Sequence, residues 1–397
     1  MNEPSTEQAF DDLFEWCRRR NFAGYDPFDG LNSRVFQATP LKHSKTARLI
    51  ATQLVKRSPL NLRPLARVRV QKNSKGIALF ALASLSNYRR LGTPEAEKEA
   101  RELLDELGRM KISGYSGAAW GYNFDWQNRN FFAPRGTPMI VPSAFAARAF
   151  LEGYETFKDD RYLQTTRSAC DFILNDLRRS SEPDDKDGEF CFSYSPLDDT
   201  RVLNSSLFAA ETLACVGALT GDAEFGGVTK DLALRAANYV AGRQREDGSW
   251  AYGAGSAQLW VDNFHTAYVL MSLSRIMKCS GGAINLQPAL ERGYRFWRKS
   301  FFLADGWPKY YHDALYPADA HAAATAIIAL LELQELDSEA IRLAERIAVW
   351  SLRNLRGSSG LFYYQRRRFY TVRTPFMRWT QAWMLYALAR LLEEKRL

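Results

Sequence analysis

Six aspartates stand in loops rich in glycine and aromatic residues: Asp125, Asp247, Asp262, Asp305, Asp313 and Asp319. Glycoside hydrolysis needs two carboxylates, one protonated as acid and one serving as base or nucleophile. Asp125 lies between Phe124 and Trp126, an apolar setting that raises a carboxyl pKa, and occupies no evident turn or cap. Asp262 and Asp319 each stand at the start of an apolar helix, so N-capping competes with chemistry as their role. Asp247 and Asp305 precede glycine, where aspartate closes turns. His265 and His321 follow Asp262 and Asp319 by three and two residues. Each is a candidate general base or a partner for a sugar hydroxyl, the alternative being a hydrogen-bonded core histidine. His312 is a loop residue with no stronger claim.

Tyr122, Tyr194, Tyr252, Tyr310 and Tyr364 recur at equivalent places in five loops. Such repetition favours a structural role, because chemistry needs one base and not five. The competing reading is a ring of aromatics around a sugar chain, with Tyr310 kept among the candidate acid–base groups. Trp120, Trp126, Trp250, Trp260, Trp307 and Trp379 extend the same aromatic surface. Arg366, Arg367, Arg368 and Arg373 form a basic loop of solvated type. Arg378 differs, lying in the first turn of an apolar helix beside Trp379 and near Gln381. A buried arginine needs a partner, either an internal aspartate or an anionic sugar gripped bidentately. Arg135, in the run Arg135-Gly136-Thr137-Pro138, is a second candidate of this kind. No spacing of the H-x-x-x-H type occurs, so neither a metal nor another cofactor is expected.

These residues sit on a repeat. A turn, an aromatic, a tyrosine, a polar loop and an apolar helix follow one another five times. The apolar helices begin near Pro142, Asn204, Asn263, Asp319 and Phe376, at a period of roughly 56–62 residues, which calls for a repeat architecture. Asn204 is the expected N-cap of its helix, although Asn204-Ser205-Ser206 also matches a glycosylation sequon. Helices starting near 75, 142, 204, 263, 319 and 376 are apolar on most faces. Their partners near 95–110, 160–178, 228–243, 286–300 and 338–355 are charged on one face. Helices apolar all round are buried and one-sided ones lie outside. The expected fold is therefore an all-α (α/α)6 toroid, one domain over 1–397. Residues 1–73, with helices at 5–20 and 42–57, would supply the sixth outer helix and close the ring of hairpins at 74–397. The long loops 112–140, 180–203, 244–262, 302–318 and 356–375 would gather at one end, where function is expected.

Composition sets outer bounds. The 397 residues are 46% hydrophobic and 25% charged, ordinary for a globular protein. No apolar run is long enough to span a membrane, and the N-terminus lacks the pattern of a secretory signal. The five cysteines are scattered and odd in number, which suggests a reducing, cytoplasmic setting without a disulfide framework. The net charge is +8, and the basic residues are read as spread over many helices, with one cluster at 366–378. It weakly supports an acidic ligand, and no motif points to nucleic acid.

Gln244-Arg245-Glu246-Asp247-Gly248-Ser249-Trp250 matches the QW motif of triterpene cyclases, and the loop–helix phrase resembles the six-hairpin glycosidase-like and terpenoid-cyclase-like α/α toroids. That likeness implies a structural role, the glutamine tying off a helix end and the tryptophan stacking over it. The cyclase acid motif D-x-D-D is absent, since Asp184-Asp185-Lys186-Asp187 does not match it. Trp120-Gly121-Tyr122-Asn123-Phe124-Asp125-Trp126-Gln127 with Arg135–Pro138, Asp262–Thr266 and Arg378–Met384 resemble bacterial VpsJ-like proteins encoded with exopolysaccharide genes. A thinner likeness exists to the α/α domain of glucuronyl C5-epimerases. These resemblances imply carbohydrate and leave the reaction open. Together with the basic cluster, Arg378 and Arg135, the expected partner is an acidic oligo- or polysaccharide, acted on by hydrolysis or by uronyl epimerisation or elimination. The alternatives are a non-catalytic glycan-binding or assembly protein and a terpenoid-cyclase-like enzyme.

Overall fold

The computed structural model describes residues 5–129, 131–183, 185, 188–282 and 286–396. Asp184, Lys186 and Asp187 of the unmatched acid motif lie outside them. In chain order the helices are α1 (Thr6–Arg18), α2 (Arg34–Gln37), α3 (Lys45–Arg57), α4 (Ser74–Leu91), α5 (Pro94–Arg109), α6 (Ile140–Phe157), α7 (Asp160–Asp176), α8 (Leu203–Leu219), α9 (Ala223–Ala241), α10 (Asn263–Cys279), α11 (Gln287–Ser300), α12 (Ala320–Glu332), α13 (Ala340–Leu355) and α14 (Trp383–Glu394). A π-helical turn, Met377–Ala382, leads into α14.

The even-numbered helices α4 to α14 form the inner ring, each packed on the next, with α14 closing back onto α4. Helices α5, α7, α9, α11 and α13 form the outer ring, and α1 packs on α14 as the sixth outer member. The expected toroid is therefore present, its core made of the inner helices and the inward faces of the outer ones. The strands are two-residue pieces in the long loops: β1 (Trp126–Gln127) with β2 (Phe132–Ala133), β3 (Arg179–Ser180) with β4 (Cys191–Phe192), and β5 (Ala318–Asp319) with β6 (Gln365–Arg366) and β7 (Thr371–Val372). All pair antiparallel.

The repeated tyrosines explain how successive hairpins lock together. The first amide of α6 donates to the Tyr194 carbonyl, that of α8 to Tyr252, that of α10 to Tyr310 and that of α12 to Tyr364. At the closure of the ring, Met377 N donates to Tyr25 O. In α6, α8, α10 and α12 an N–H that would otherwise lack a partner is thus satisfied by the following loop. This also corrects the reading of Asn204: α8 starts one residue earlier, at Leu203, with no side-chain cap. The Tyr252 carbonyl takes the amide at that end instead.

The QW residues behave as the resemblance implied. Gln244 Nε2 donates to Gly248 O and Ala289 O at 3.0 and 2.9 Å, and Trp250 Nε1 donates to Val240 O at 2.9 Å near the end of α9. Trp120 does the same for α5 through Leu107 O.

The cysteine reading requires correction. Cys215 and Cys279 form a disulfide between the C-terminal turns of α8 and α10, with Cα atoms 4.9 Å apart. Their separation of 64 residues is about one repeat, so neighbouring inner helices bring the two to the same height. The cysteine pattern therefore gives no argument for a reducing compartment.

Candidate functional site

At the loop end of the ring, residues from five segments meet along one chain of ring contacts. Trp126 packs on Tyr194 at 5.0 Å, and Tyr122 stacks on Phe124 at 5.0 Å. The Arg378 guanidinium stands 5.1 Å from the Tyr122 ring and 5.3 Å from the Trp379 ring. Trp379 meets His321 edge-on at 4.3 Å, and His321 is sandwiched between Phe264 and Trp383 at 4.6 and 4.7 Å. Phe264 touches His265 at 4.1 Å, and His265 touches Tyr252, itself stacked on Trp260.

Asp262 caps its helix and also holds the imidazole of His265. One oxygen caps α10 through His265 N at 3.0 Å. The other receives Trp260 Nε1 at 3.1 Å and faces His265 Nδ1 at 2.7 Å. The acceptor carboxylate calls for a proton on Nδ1, which leaves the His265 Nε2 lone pair available. Asp262 is buried, whereas the His265 side chain keeps 22% of its surface exposed. That is the arrangement of an oriented general base.

His321 is buried, and its Nε2 lies 2.6 Å from Tyr268 Oη while Nδ1 has no hydrogen-bond partner among the described residues. Burial, reinforced by Lys75 and Arg378, holds its pKa well below the usual imidazole value, so it stays neutral. Asp319 caps α12 through His321 N and Ala322 N, and also receives Gln365 Nε2 at 2.7 Å and Trp379 Nε1 at 3.3 Å. Burial pushes its carboxyl up to about 6, against the opposing pull of Gln365.

Several residues that the sequence did not point to complete the centre. Asp26 receives Arg378 Nε and Nη2 at 2.6 and 2.7 Å, so the arginine's partner is an internal aspartate. Lys56 lies 4.2 Å from the Phe28 ring and 5.5 Å from Trp379; burial lowers its pKa to about 8, with Asp319 opposing. Lys75 is buried over Phe145 at 4.2 Å with no acidic partner among the described residues. Burial, then Arg378 and Arg148, holds it well below the ordinary lysine range. Its position second in an apolar helix was the one available signal.

Other candidates are placed elsewhere. Asp125 receives Arg135 N at 2.8 Å, which closes the base of the β1–β2 hairpin, and Gln37 Nε2 at 3.5 Å, which ties it to the N-terminal segment. The Arg135 residue is exposed. Trp120 and Trp250 are buried against the outer helices they cap, and Gln381 is bonded twice to the Phe362 backbone. Trp307 packs outward on Trp350 and Tyr316. Asp247 and Asp305 make the turn bonds expected of them, to Ser249 N and Trp307 N. His312 packs on Phe296 and Phe301 at the outer layer. Tyr122, Tyr194, Tyr252, Tyr310 and Tyr364 all have raised pKa values, chiefly from burial, which disfavours any of them as a base. Among the described residues no group of three His, Cys, Asp or Glu is placed to hold a metal ion.

Residues 24–72 lie across this end of the ring, through Asp26–Arg378, Asn32 to Asn123 O, and Arg48 to Gln127. The cleft beside Asp262 and His265 is correspondingly small, about 10 Å³. A depression of about 1090 Å³ opens at the opposite end, among Arg148, Glu211, Arg275, Glu332 and Arg390. Size alone would favour it. Its floor, however, is a matched ion-pair network of Arg148, Glu211, Arg275 and Glu332 with no histidine, so the chemistry favours the loop end.

No family model matches the chain, and no curated protein matches it. Solved structures do match in fold. Cellobiose 2-epimerase from Bacillus thermoamylovorans superposes with a TM-score of 0.62 at 12% identity, covering 83% of this chain and 90% of that one. An unsaturated glucuronyl hydrolase specific for heparin gives 0.62 at 16% identity, covering 99% and 97%. A GH76 α-mannanase of Bacteroides thetaiotaomicron gives 0.62 at 12%, covering 83% and 88%. These are six-hairpin glycosidase-like α/α toroids, and the chain shares their fold.

Proposed function

We propose that this protein is a carbohydrate-active enzyme that moves a proton at a carbon of an acidic, uronate-containing oligo- or polysaccharide, within bacterial polysaccharide production or modification. The observation that carries this reading is the Asp262–His265 pair, 2.7 Å apart, with the imidazole facing the cleft. A C–H proton beside a carboxylate is acidic enough for an oriented imidazole when nearby cations offset the charge that develops. His265 Nε2 takes that proton. Delivery of a proton from solvent or a second group to the opposite face gives epimerisation, and departure of a β-substituent, which takes up a proton as it leaves, gives elimination.

Lys75 suits the anion. It is held toward the neutral amine by burial, and a carboxylate entering beside it favours the ammonium form. Hydrolysis by paired aspartates has less support, because Asp26, Asp262 and Asp319 are each committed to partners within the ring. The solved structures named above include an epimerase and a glucuronyl hydrolase by name, which agrees with a sugar ligand on this fold.

The small cleft favours a second reading. With Arg378 held by Asp26 and residues 24–72 across the mouth, a glycan-binding or assembly protein needs no catalytic opening. Turnover in heavy water separates the two. Acidic and neutral oligosaccharides are incubated with the wild type and with Asp262→Asn, and products are read by mass spectrometry. Deuterium uptake or elimination on acidic sugars, lost in the variant, supports the enzyme. Binding without exchange, equal in both proteins, rejects it in favour of the binding protein.

A further inference from the structure

Residues 34–72 contain ten Lys and Arg and no Asp or Glu. The chain has 53 basic and 45 acidic residues, so the remainder holds 43 against 45 and is close to neutral. The positive charge is thus concentrated on the segment that covers the loop end, and not spread over many helices. Its ion pairs are Arg63–Asp29 and Lys72–Glu106. Arg34, Lys45, Arg57, Arg67 and Arg69 are exposed and make no ion pair among the described residues.

Large apolar side chains project between these cations. Ile50 and Leu54 stand one turn apart on the outer side of α3, opposite the buried Thr52. Leu54, Leu60 and Leu65 are 64%, 71% and 80% exposed. The tip of the β6–β7 hairpin joins them, because Tyr370 Oη donates to Arg57 O at 3.2 Å. That contact sets Arg368 and Phe369, the latter 85% exposed, beside the end of α3. Exposed aliphatic groups among unpaired cations are the composition of an interfacial membrane contact. Anionic lipid attracts such cations, and the aliphatic groups enter the headgroup boundary.

We infer that α3, residues 58–70 and the hairpin tip 366–370 dock the loop end on the surface of a bilayer containing anionic lipid. The contact is peripheral, since no helix among the described residues is long and apolar enough to cross a membrane. Nucleic acid fits less well, because its bases stack on aromatic rings and most of the projecting groups are aliphatic. A second copy fits less well too, because a two-fold interface would set this cationic face against itself. The inference stands apart from the proposed chemistry and survives its failure.

Flotation of the full chain with vesicles tests it. Phosphatidylcholine vesicles are compared with vesicles that also contain phosphatidylglycerol, at low and high salt. The expected result is retention on the anionic vesicles alone, weakening as salt rises. Lys45→Gln, Arg57→Gln and Arg69→Gln each weaken binding about five-fold, the effect of one cation near an anionic surface. Leu54→Ser combined with Leu65→Ser and Phe369→Ser releases the protein while its circular dichroism is unchanged. Equal retention on both vesicle types, no retention, or retention indifferent to these variants overturns the inference. So does a light-scattering mass of a dimer, or binding to single-stranded RNA, that responds to the same variants while vesicles do not bind.

Discussion

Arg378 and Asp26 are 352 residues apart in sequence and joined by two short hydrogen bonds of 2.6 and 2.7 Å. Both are buried, with 3% and 5% of their side-chain surface exposed. The pair pins the N-terminal segment to the start of the last inner helix.

Asp26→Ala strips the partner from a buried guanidinium and is expected to cost about 3–5 kcal/mol. Replacing both, as Asp26→Leu with Arg378→Met, should recover much of that loss. Urea unfolding of the wild type, both single variants and the double variant measures the coupling. A single-variant loss below about 0.5 kcal/mol would show that the pair does not hold the segment.

Asp262→Asn separates capping from chemistry. Asparagine caps a helix about as well as aspartate, so α10 should stay within about 1 kcal/mol of wild type. The amide no longer dictates which nitrogen of His265 carries the proton, and exchange into substrate should fall about 100-fold or more. Thermal unfolding and heavy-water turnover on the same preparations make the comparison. A loss of stability that accounts for the loss of rate would assign Asp262 to the cap alone.

Glu211 should govern acid stability. Burial would raise its pKa, but Arg148 and Arg275 outweigh it and bring it down to about 2. A carboxyl depressed on folding contributes stability that is complete above its unfolded value, near 4.5, and is lost as pH falls toward 2. The loss over that window is about 3 kcal/mol. Glu211→Gln should be less stable at neutral pH and show a flatter decline between those limits. Parallel acid slopes for the two proteins would assign the decline to other groups.

Reduction should weaken the ring at its other end. The Cys215–Cys279 bond closes a 64-residue span, which corresponds to about 4 kcal/mol on the chain-entropy scale. Dithiothreitol should lower the unfolding midpoint of the wild type and leave Cys215→Ser/Cys279→Ser unchanged. Free-thiol titration of the unfolded chain under non-reducing conditions should return three thiols, those of Cys17, Cys170 and Cys191.

The repeat was open to sequence reading because each hairpin carries the same local demands. An all-apolar helix must be buried, a one-sided helix must cover it, and a period near 60 residues stacks such pairs into a ring. The same local logic identified the N-caps Asp262 and Asp319 and the QW bonds of Gln244 and Trp250. It also favoured a structural role for the five tyrosines, four of whose carbonyls lock successive helices. What decides the centre is not local. Asp26 meets Arg378, Lys56 meets Trp379 and Cys215 meets Cys279 only because closure of the ring brings together residues from different repeats and from the N-terminal segment. No periodic signal links those positions. Sequence determined which helices turn inward, through the cost of leaving apolar faces in water. Tertiary structure decided which charges share the interior, because a buried charge settles on whichever partner the closed ring sets beside it.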